Sequence, residues 1–173
     1  MRSRTVVSLL AGSLLVLGGC ASTESQDAPG YGVGSDAAVS NAAADLAFTA
    51  DTLDGASFSG ETLEGKPAVL WFWAPWCPTC RAQAPNVSDL AEKYGDQVNV
   101  VGVGGLADTA DIRDFATEVD GPIHLVDAEG AVWRHFGVTA QSTYLVLDAD
   151  GVVVAEGYLD DQALNAKVAE LAG

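Results

Sequence analysis

Two near-continuous apolar runs, Ala68–Trp73 and Val98–Val103, dominate the hydrophobic pattern of the chain. Apolar runs without polar alternation are typical of central strands that helices cover on both faces. Apolar residues recur at helical spacing over Asp108–Val119 and Gln162–Leu171, and helix-forming residues also follow Cys77. The pattern therefore predicts an α/β fold in which helices flank a central sheet.

Shorter segments add one strand and two hairpins to this prediction. The single strand is Ile123–Val126. One hairpin joins Leu46–Leu53 to Ser57–Thr62, and the other joins Tyr144–Leu147 to Val152–Glu156. Asp150-Gly151 lies between the last two and favours a two-residue hairpin turn. The sequence from Asp148 begins like a calcium loop, but Leu159 occupies the position of its final glutamate, so we interpret it as a turn.

The N-terminal segment is typical of an export signal. Basic residues in Met1–Arg4 precede a mostly apolar segment, Thr5–Leu17, which is shorter than the roughly 20 residues that a membrane-spanning helix needs. Leu17-Gly18-Gly19-Cys20 resembles a bacterial lipobox, which implies cleavage after residue 19 and a lipid on Cys20 that holds the protein at the membrane. A plain secretory signal, cleaved elsewhere, is the alternative.

Composition changes again after Cys20. Small and polar residues without apolar periodicity follow, so we expect residues 20–45 to form a flexible tether. Residues 46–173 suffice for a single core, which gives a signal at 1–19, the tether and one domain. The signal holds two of the eight basic residues and none of the 24 acidic ones, so the chain from Cys20 onward has a formal charge of -18. This charge disfavours nucleic acid as a partner.

Cys77 and Cys80 form a Cys-x-x-Cys motif just after the first apolar run. A thiol attacks a disulfide as its thiolate, which the first turn of a helix favours. Pro78 suits that turn because it lacks an N–H that would be unpaired there. The spacing lets Cys80 resolve a mixed disulfide formed by Cys77, which predicts a redox-active pair. Half of a zinc site and a structural disulfide are the alternatives; three cysteines and two histidines offer no second pair for zinc.

Several motifs carry a family resemblance from Ala47 to the C-terminus. They are Trp76-Cys77-Pro78-Thr79-Cys80, Gly65-Lys66-Pro67, Pro85, Asp127-Ala128-Glu129-Gly130 and Phe136-Gly137-Val138. With these motifs the chain resembles the TlpA, ResA and DsbE (CcmG) group, in particular secreted DsbE-like proteins of actinobacteria. The resemblance implies a thioredoxin-like fold with a central mixed sheet, and an enzyme that needs no cofactor or metal. Cys77 would be the nucleophile and Cys80 the resolving thiol.

Two features depart from the pattern of this group. Ser142, after Gln141, stands where the group has a cis-proline opposite the dithiol. A cis bond before a non-proline residue costs about 2.5–4 kcal/mol, which favours a trans bond here. The group also often has a buried acid near the second cysteine, whereas this chain has Trp71 in the strand and Gln83 on the helix. Neither side chain accepts a proton.

The remaining candidates concern the partner surface and the histidines. We expect the partner polypeptide to contact Trp76, Pro78, Thr79, Gln141 and Ser142. Trp76 is expected to be exposed, and the other tryptophans to lie in the core. His124 falls in an apolar strand and His135 in a helix, so we interpret both as structural.

The predicted function is an extracytoplasmic, membrane-anchored thiol-disulfide oxidoreductase. Its partners would be exported client proteins and a membrane thiol that donates or accepts electrons. Group members reduce the haem-binding cysteines of apocytochrome c, which implies a reductive or exchanging role. An oxidant of exported proteins is the first alternative. A lipoprotein that binds a soft metal such as Cu(I) through both thiolates, and a thiol peroxidase, are the others.

Overall fold

The computed structural model describes residues 40–173. The predicted signal, Cys20 and most of the predicted tether lie outside the described residues. The Asn41 N–H donates to the Val153 carbonyl at 3.2 Å, and the Ala44 N–H donates to the Gly151 carbonyl at 2.9 Å. The chain therefore already contacts the domain at Asn41, ahead of the predicted boundary at residue 46.

Within the described residues, seven strands form one mixed sheet. They are β1 (Thr49–Thr52), β2 (Ser57–Ser59), β3 (Ala68–Trp73), β4 (Asn99–Gly104), β5 (Ile123–Val126), β6 (Thr143–Leu147) and β7 (Val153–Gly157), in the order β2-β1-β5-β4-β3-β6-β7. β4 runs parallel to β3 and β5, and all other neighbours are antiparallel. The predicted mixed sheet and its N-terminal hairpin are confirmed.

In this described part of the chain, four helices pack on the sheet, and a 3-10 turn covers Gly60–Leu63. The helices are α1 (Pro78–Tyr94), α2 (Thr109–Ala116), α3 (Ala131–His135) and α4 (Asp161–Leu171). Aspartates cap two of them, because the Asp108 side chain accepts from the Asp111 N–H and the Asp160 side chain accepts from the Ala163 N–H. None of the helices within residues 40–173 is long and apolar enough to cross a membrane.

The core has two layers, one on each face of the sheet. Val69, Trp71 and Trp73 belong to the layer that includes residues of α1, α2 and α4. The alternate residues of β3, such as Leu70 and Phe72, belong to the layer that includes α3 and the N-terminal hairpin. Every residue of β3 is buried, which explains why its sequence shows no polar alternation.

The turn between β6 and β7 differs from the predicted two-residue turn at Asp150-Gly151. The Gly151 N–H donates to the Asp148 carbonyl at 3.0 Å, so Ala149 and Asp150 are the central residues. Gly151 follows them with a φ of +76°. The Asp148 carboxylate accepts from the N–H groups of Asp150 and Val152 at 3.0 and 2.9 Å. This local capping moves the turn one residue toward the N-terminus and leaves Gly151 in the left-handed position.

Candidate active site

The two cysteines of the motif lie at the junction of β3 and α1. β3 ends at Trp73, and the Cys77 N–H donates to the Ala74 carbonyl at 3.1 Å, which closes a tight turn. Cys77 caps α1, Pro78 begins the helix, and the Cys80 N–H donates to the Cys77 Sγ at 3.2 Å. The Cys77 Sγ is therefore at the N-terminus of α1, where the helix macrodipole favours negative charge.

The two thiols have different surroundings. Both are free, and Cys77 is 4% exposed whereas Cys80 is fully buried. Burial, followed by the neighbouring Cys77 thiol, raises the pKa of Cys80 to about 12, against a smaller opposite effect of the backbone at Ala74 and Ser142. Because only a thiolate attacks a disulfide, Cys80 needs a proton acceptor or a high pH to react.

Gln83 connects α1 with the loop before β6. Its Oε1 accepts hydrogen bonds from the Trp71 Nε1–H at 3.0 Å and from the Ser142 hydroxyl at 2.8 Å. Its buried Nε2 has no hydrogen-bond partner among the described residues. Cys80 and Gln83 are three residues apart in α1, so their side chains are neighbours on one face of the helix. Both donors use a single oxygen of Gln83, an arrangement that a carboxylate would also satisfy.

Ser142 has a left-handed backbone conformation, with a φ of +65°. Residues 40–173 contain no cis peptide bond, so the Gln141–Ser142 bond is trans. The Ser142 N–H donates to the Phe72 carbonyl at 3.0 Å, next to the paired residues Phe72 and Thr143. Proline would fit neither feature, because its φ is fixed near about -65° and it has no N–H.

Trp76 is exposed beside the dithiol, as the sequence predicts. It is 56% exposed, and its Nε1–H donates to the Leu106 carbonyl at 2.9 Å. Leu106 is 48% exposed and has a φ of +56°, a conformation that costs a non-glycine residue roughly 1–2 kcal/mol. Sequence reasoning missed Leu106. Its position just after β4 was the available signal, because β4 and β3 are parallel neighbours and their carboxyl ends meet at one edge of the sheet.

The predicted partner-binding residues occupy two adjoining segments. Trp76, Pro78 and Thr79 are exposed at the junction of β3 and α1, while Gln141 is half-buried and Ser142 is buried. Since β3 and β6 are antiparallel neighbours, the end of β3 lies beside the start of β6. The set thus shares one edge of the sheet. The two hydrogen-bond donors of Ser142, its hydroxyl and its N–H, both bond inward rather than toward the surface.

The two histidines contact backbone carbonyls. His124 is buried in β5 with its Nε2 at 2.8 Å from the Val119 carbonyl, and burial lowers its pKa. His135, at the end of α3, has its Nε2 at 2.6 Å from the Asp45 carbonyl. Across the described part of the chain, no three His, Cys, Asp or Glu side chains are grouped so that they could hold a metal ion.

A family model described as Redoxin matches residues 38–172, which include both thiols and the whole sheet. The chain belongs to the Redoxin family. Among Redoxin relatives, the soluble secreted antigen MPT53 of Mycobacterium tuberculosis is 43% identical over 107 residues, which are 61% of this chain and 61% of MPT53. The thiol:disulfide interchange protein DsbE of Pseudomonas aeruginosa is 32% identical over 114 residues, or 63% of this chain and 61% of DsbE.

A solved structure supports the same assignment. The structure of MTB dsbF in its mixed oxidized and reduced forms has a TM-score of 0.68 and 45% identity, and the match covers 73% of this chain and 96% of dsbF. The predicted thioredoxin-like fold and membership of the TlpA, ResA and DsbE group of thiol-disulfide oxidoreductases are therefore confirmed. This Redoxin chain spans 61% of the length of MPT53 and of DsbE.

Proposed function

We propose that this Redoxin member exchanges thiols and disulfides through Cys77 as nucleophile and Cys80 as resolving thiol. The observation that carries the proposal is the geometry of the helix cap. The Cys77 Sγ accepts the Cys80 N–H at 3.2 Å at the N-terminus of α1. This position favours the Cys77 thiolate and keeps the second cysteine within one helical turn of it.

The reducing direction takes two exchange steps. The Cys77 thiolate attacks one sulfur of a client disulfide, and the other client sulfur leaves as a thiolate that takes up a proton. Cys80 then loses its proton and attacks the Cys77 Sγ, so that the client leaves with both cysteines reduced. The enzyme pair ends as a disulfide, and a thiol donor must return two electrons. The same steps in reverse oxidise a client.

The client surface in this proposal combines the exposed Trp76, Pro78 and Thr79 with Gln141. An exposed aromatic side chain beside a nucleophile suits the docking of an extended polypeptide. Ser142 would act by holding the loop that contains Gln141, since its polar groups bond to Gln83 and Phe72.

We place this chemistry outside the cytoplasm, at the membrane. The basic and apolar N-terminus supports export, and the lipobox-like Leu17–Cys20 supports a lipid on Cys20 and a tether that follows it. MPT53 being a soluble secreted antigen supports an extracytoplasmic location as well. Exported proteins would be the clients, among them apocytochrome c, and a membrane thiol would supply electrons.

Oxidation of exported proteins is a second candidate, and the helix cap is the observation that favours it. A helix N-terminus that stabilises the Cys77 thiolate stabilises the reduced pair, which makes a dithiol more oxidising. The burial of Cys80 changes this balance little near neutral pH, because a thiol with a pKa of about 12 stays protonated there.

The reduction potential of the pair tests both candidates. The purified full-length chain is equilibrated in glutathione buffers, and tryptophan fluorescence follows the dithiol because Trp76 precedes Cys77. We expect one two-electron transition, absent from Cys77→Ser and from Cys80→Ser. A value near that of thioredoxin, about -270 mV, indicates a reductant, and one near about -120 mV indicates an oxidant. If no Cys77–Cys80 disulfide forms at any potential, the proposal is wrong.

A further inference from the structure

An apolar patch and an acidic depression adjoin each other beside the dithiol. The patch consists of Trp76 and Leu106, both exposed, and the hydrogen bond from the indole to the Leu106 carbonyl holds them together. Large apolar side chains that are fixed and still exposed are typical of an interaction surface.

The depression has a volume of about 400 Å³ and continues from Trp76 toward α2. Its lining includes Trp76, Arg81, Asp111, Asp114, Phe115 and Glu118. Arg81 is the basic residue of this lining, and it is already engaged. Its Nη1 lies 3.3 Å from the Glu118 carboxylate, its Nε–H donates to a backbone carbonyl, and its guanidinium lies 4.7 Å from the centroid of the Phe115 ring.

Two carboxylates of the depression have no cationic partner in the part of the chain that the structure describes. Within residues 40–173 the ion pairs join Arg81 to Glu118 and Lys167 to Glu170, the His135 imidazole lies 3.9 Å from the Asp45 carboxylate, and none of these contacts includes Asp111 or Asp114. The formal charge of the whole chain is -16, so it has the same negative sign as these two carboxylates. A positively charged side chain of a partner would therefore be attracted to this place both locally and at a distance.

We infer that the depression receives a lysine or arginine of the client polypeptide, while Trp76 and Leu106 contact an apolar client residue beside the reacting cysteine. The inference rests on the proposed exchange function and adds a substrate class to it, namely disulfides flanked by apolar and basic residues. The aromatic side chains suit this occupant, because the stem of a long basic side chain packs on aromatic rings while its charge reaches the carboxylates.

The test compares two synthetic peptides that carry one cysteine as a mixed disulfide with thionitrobenzoate. Leucine precedes the cysteine in both, and two lysines or two glutamates follow it. The Cys77 thiolate attacks the peptide sulfur, the new disulfide joins Cys77 to the peptide, and thionitrobenzoate leaves with the electron pair. The second-order rate constant of its release is measured with the reduced full-length chain. We expect the lysine peptide to react about tenfold faster at low salt, with a smaller ratio at high salt.

Matched variants separate this surface from the overall charge. Asp111→Asn with Asp114→Asn should reduce the preference to about twofold. Glu92→Gln with Asp96→Asn removes the same charge from exposed positions outside the depression and should leave the preference unchanged. Trp76→Ala and Leu106→Ala should slow both peptides by similar factors, because they remove apolar contact.

Each outcome supports or overturns a separate claim. Equal rates for the two peptides, or equal effects of the two double variants, would overturn the inference while leaving thiol exchange intact. Release of thionitrobenzoate from the free reagent, dithiobis(nitrobenzoate), that is no faster than its release by Cys77→Ser would instead overturn the proposed function.

Discussion

Replacing Gln83 by glutamate should give Cys80 the proton acceptor that it lacks. Burial raises the pKa of Cys80 to about 12, and Gln83 is its neighbour one turn along α1. A carboxylate of the same shape fits the site. One oxygen can keep the hydrogen bonds from Trp71 and Ser142, and the other replaces an Nε2 that has no partner among the described residues.

The size of the effect follows from the fraction of Cys80 that is ionised. At about pH 7.5, a thiol with a pKa of about 12 has roughly 3,000-fold less thiolate than an ordinary cysteine. Its greater intrinsic nucleophilicity recovers about 40-fold, since the Brønsted coefficient is about 0.45. The remaining deficit is roughly 80-fold, just below the range of about 10²–10⁴ that a positioned base contributes. We therefore expect Gln83→Glu to speed the resolving step by up to about 80-fold.

The two-step reaction with dithiobis(nitrobenzoate) measures this step. Attack by Cys77 releases the first thionitrobenzoate, and attack by Cys80 on the mixed disulfide releases the second. In the wild type, the second release should accelerate about tenfold per pH unit, because the Cys80 thiolate increases by that factor. In Gln83→Glu it should be faster near neutral pH and depend less on pH.

Gln83→Met is the matched control, since it has a similar length and no proton acceptor, and its second release should stay slow. Chemical unfolding of both variants shows whether the site remains intact. A wild-type second release that does not change between about pH 7 and pH 9 would refute the reasoning, because Cys80 would then already have an effective base.

Three further changes test the surroundings of the site by chemical denaturation. Ser142→Pro removes the N–H that donates to Phe72, and proline cannot adopt a φ of +65°. It should therefore lower the free energy of unfolding by about 3 kcal/mol, whereas Ser142→Ala should lower it by about 1 kcal/mol. Equal losses for the two variants would contradict this reasoning. Gly102→Ala would place a Cβ 2.7 Å from His124 Nδ1 and 2.9 Å from Trp73 Nε1, so it should cost about 1–3 kcal/mol. Burial lowers the pKa of His124, so below pH 6.5 the unfolded state binds a proton that the folded state excludes. The wild type should therefore lose stability relative to His124→Gln as the pH falls below 6.5. Parallel pH profiles of these two proteins would contradict the last expectation.

The elements that the sequence predicted well are those whose burial leaves a local pattern. β3 is buried at every position, and most of β4 is too, so their apolar runs were visible without any knowledge of the fold. The N-terminal hairpin was predicted too long, because Gly60–Leu63 form a 3-10 turn instead of extending β2. The turn before β7 was misplaced because the Asp148 carboxylate caps backbone N–H groups, and a dipeptide rule does not include that competition.

In the candidate site, too, the sequence predicts the local relations between residues but not the contacts between distant ones. Cys77, Pro78 and Cys80 lie within one helical turn, so their relation follows from sequence spacing. The Trp76–Leu106 hydrogen bond joins residues 30 apart, and the Gln83–Ser142 hydrogen bond joins residues 59 apart. Contacts over such separations depend on strand order, which fixes which loop ends meet at the carboxyl edge of β3 and β4.

The two departures from the family pattern turn out to be one local arrangement. In the sequence, the absent proline at Ser142 and the absent acid at Gln83 look independent. In the structure, the Ser142 hydroxyl donates to the Gln83 Oε1, and the Ser142 N–H donates to the Phe72 carbonyl. A serine therefore holds this loop by two hydrogen bonds, neither of which a proline can donate. The left-handed backbone at Ser142 is tolerated because those two bonds offset its strain. The amide of Gln83 thus anchors the loop, and it occupies the position next to Cys80 where an acidic residue could have acted as a base.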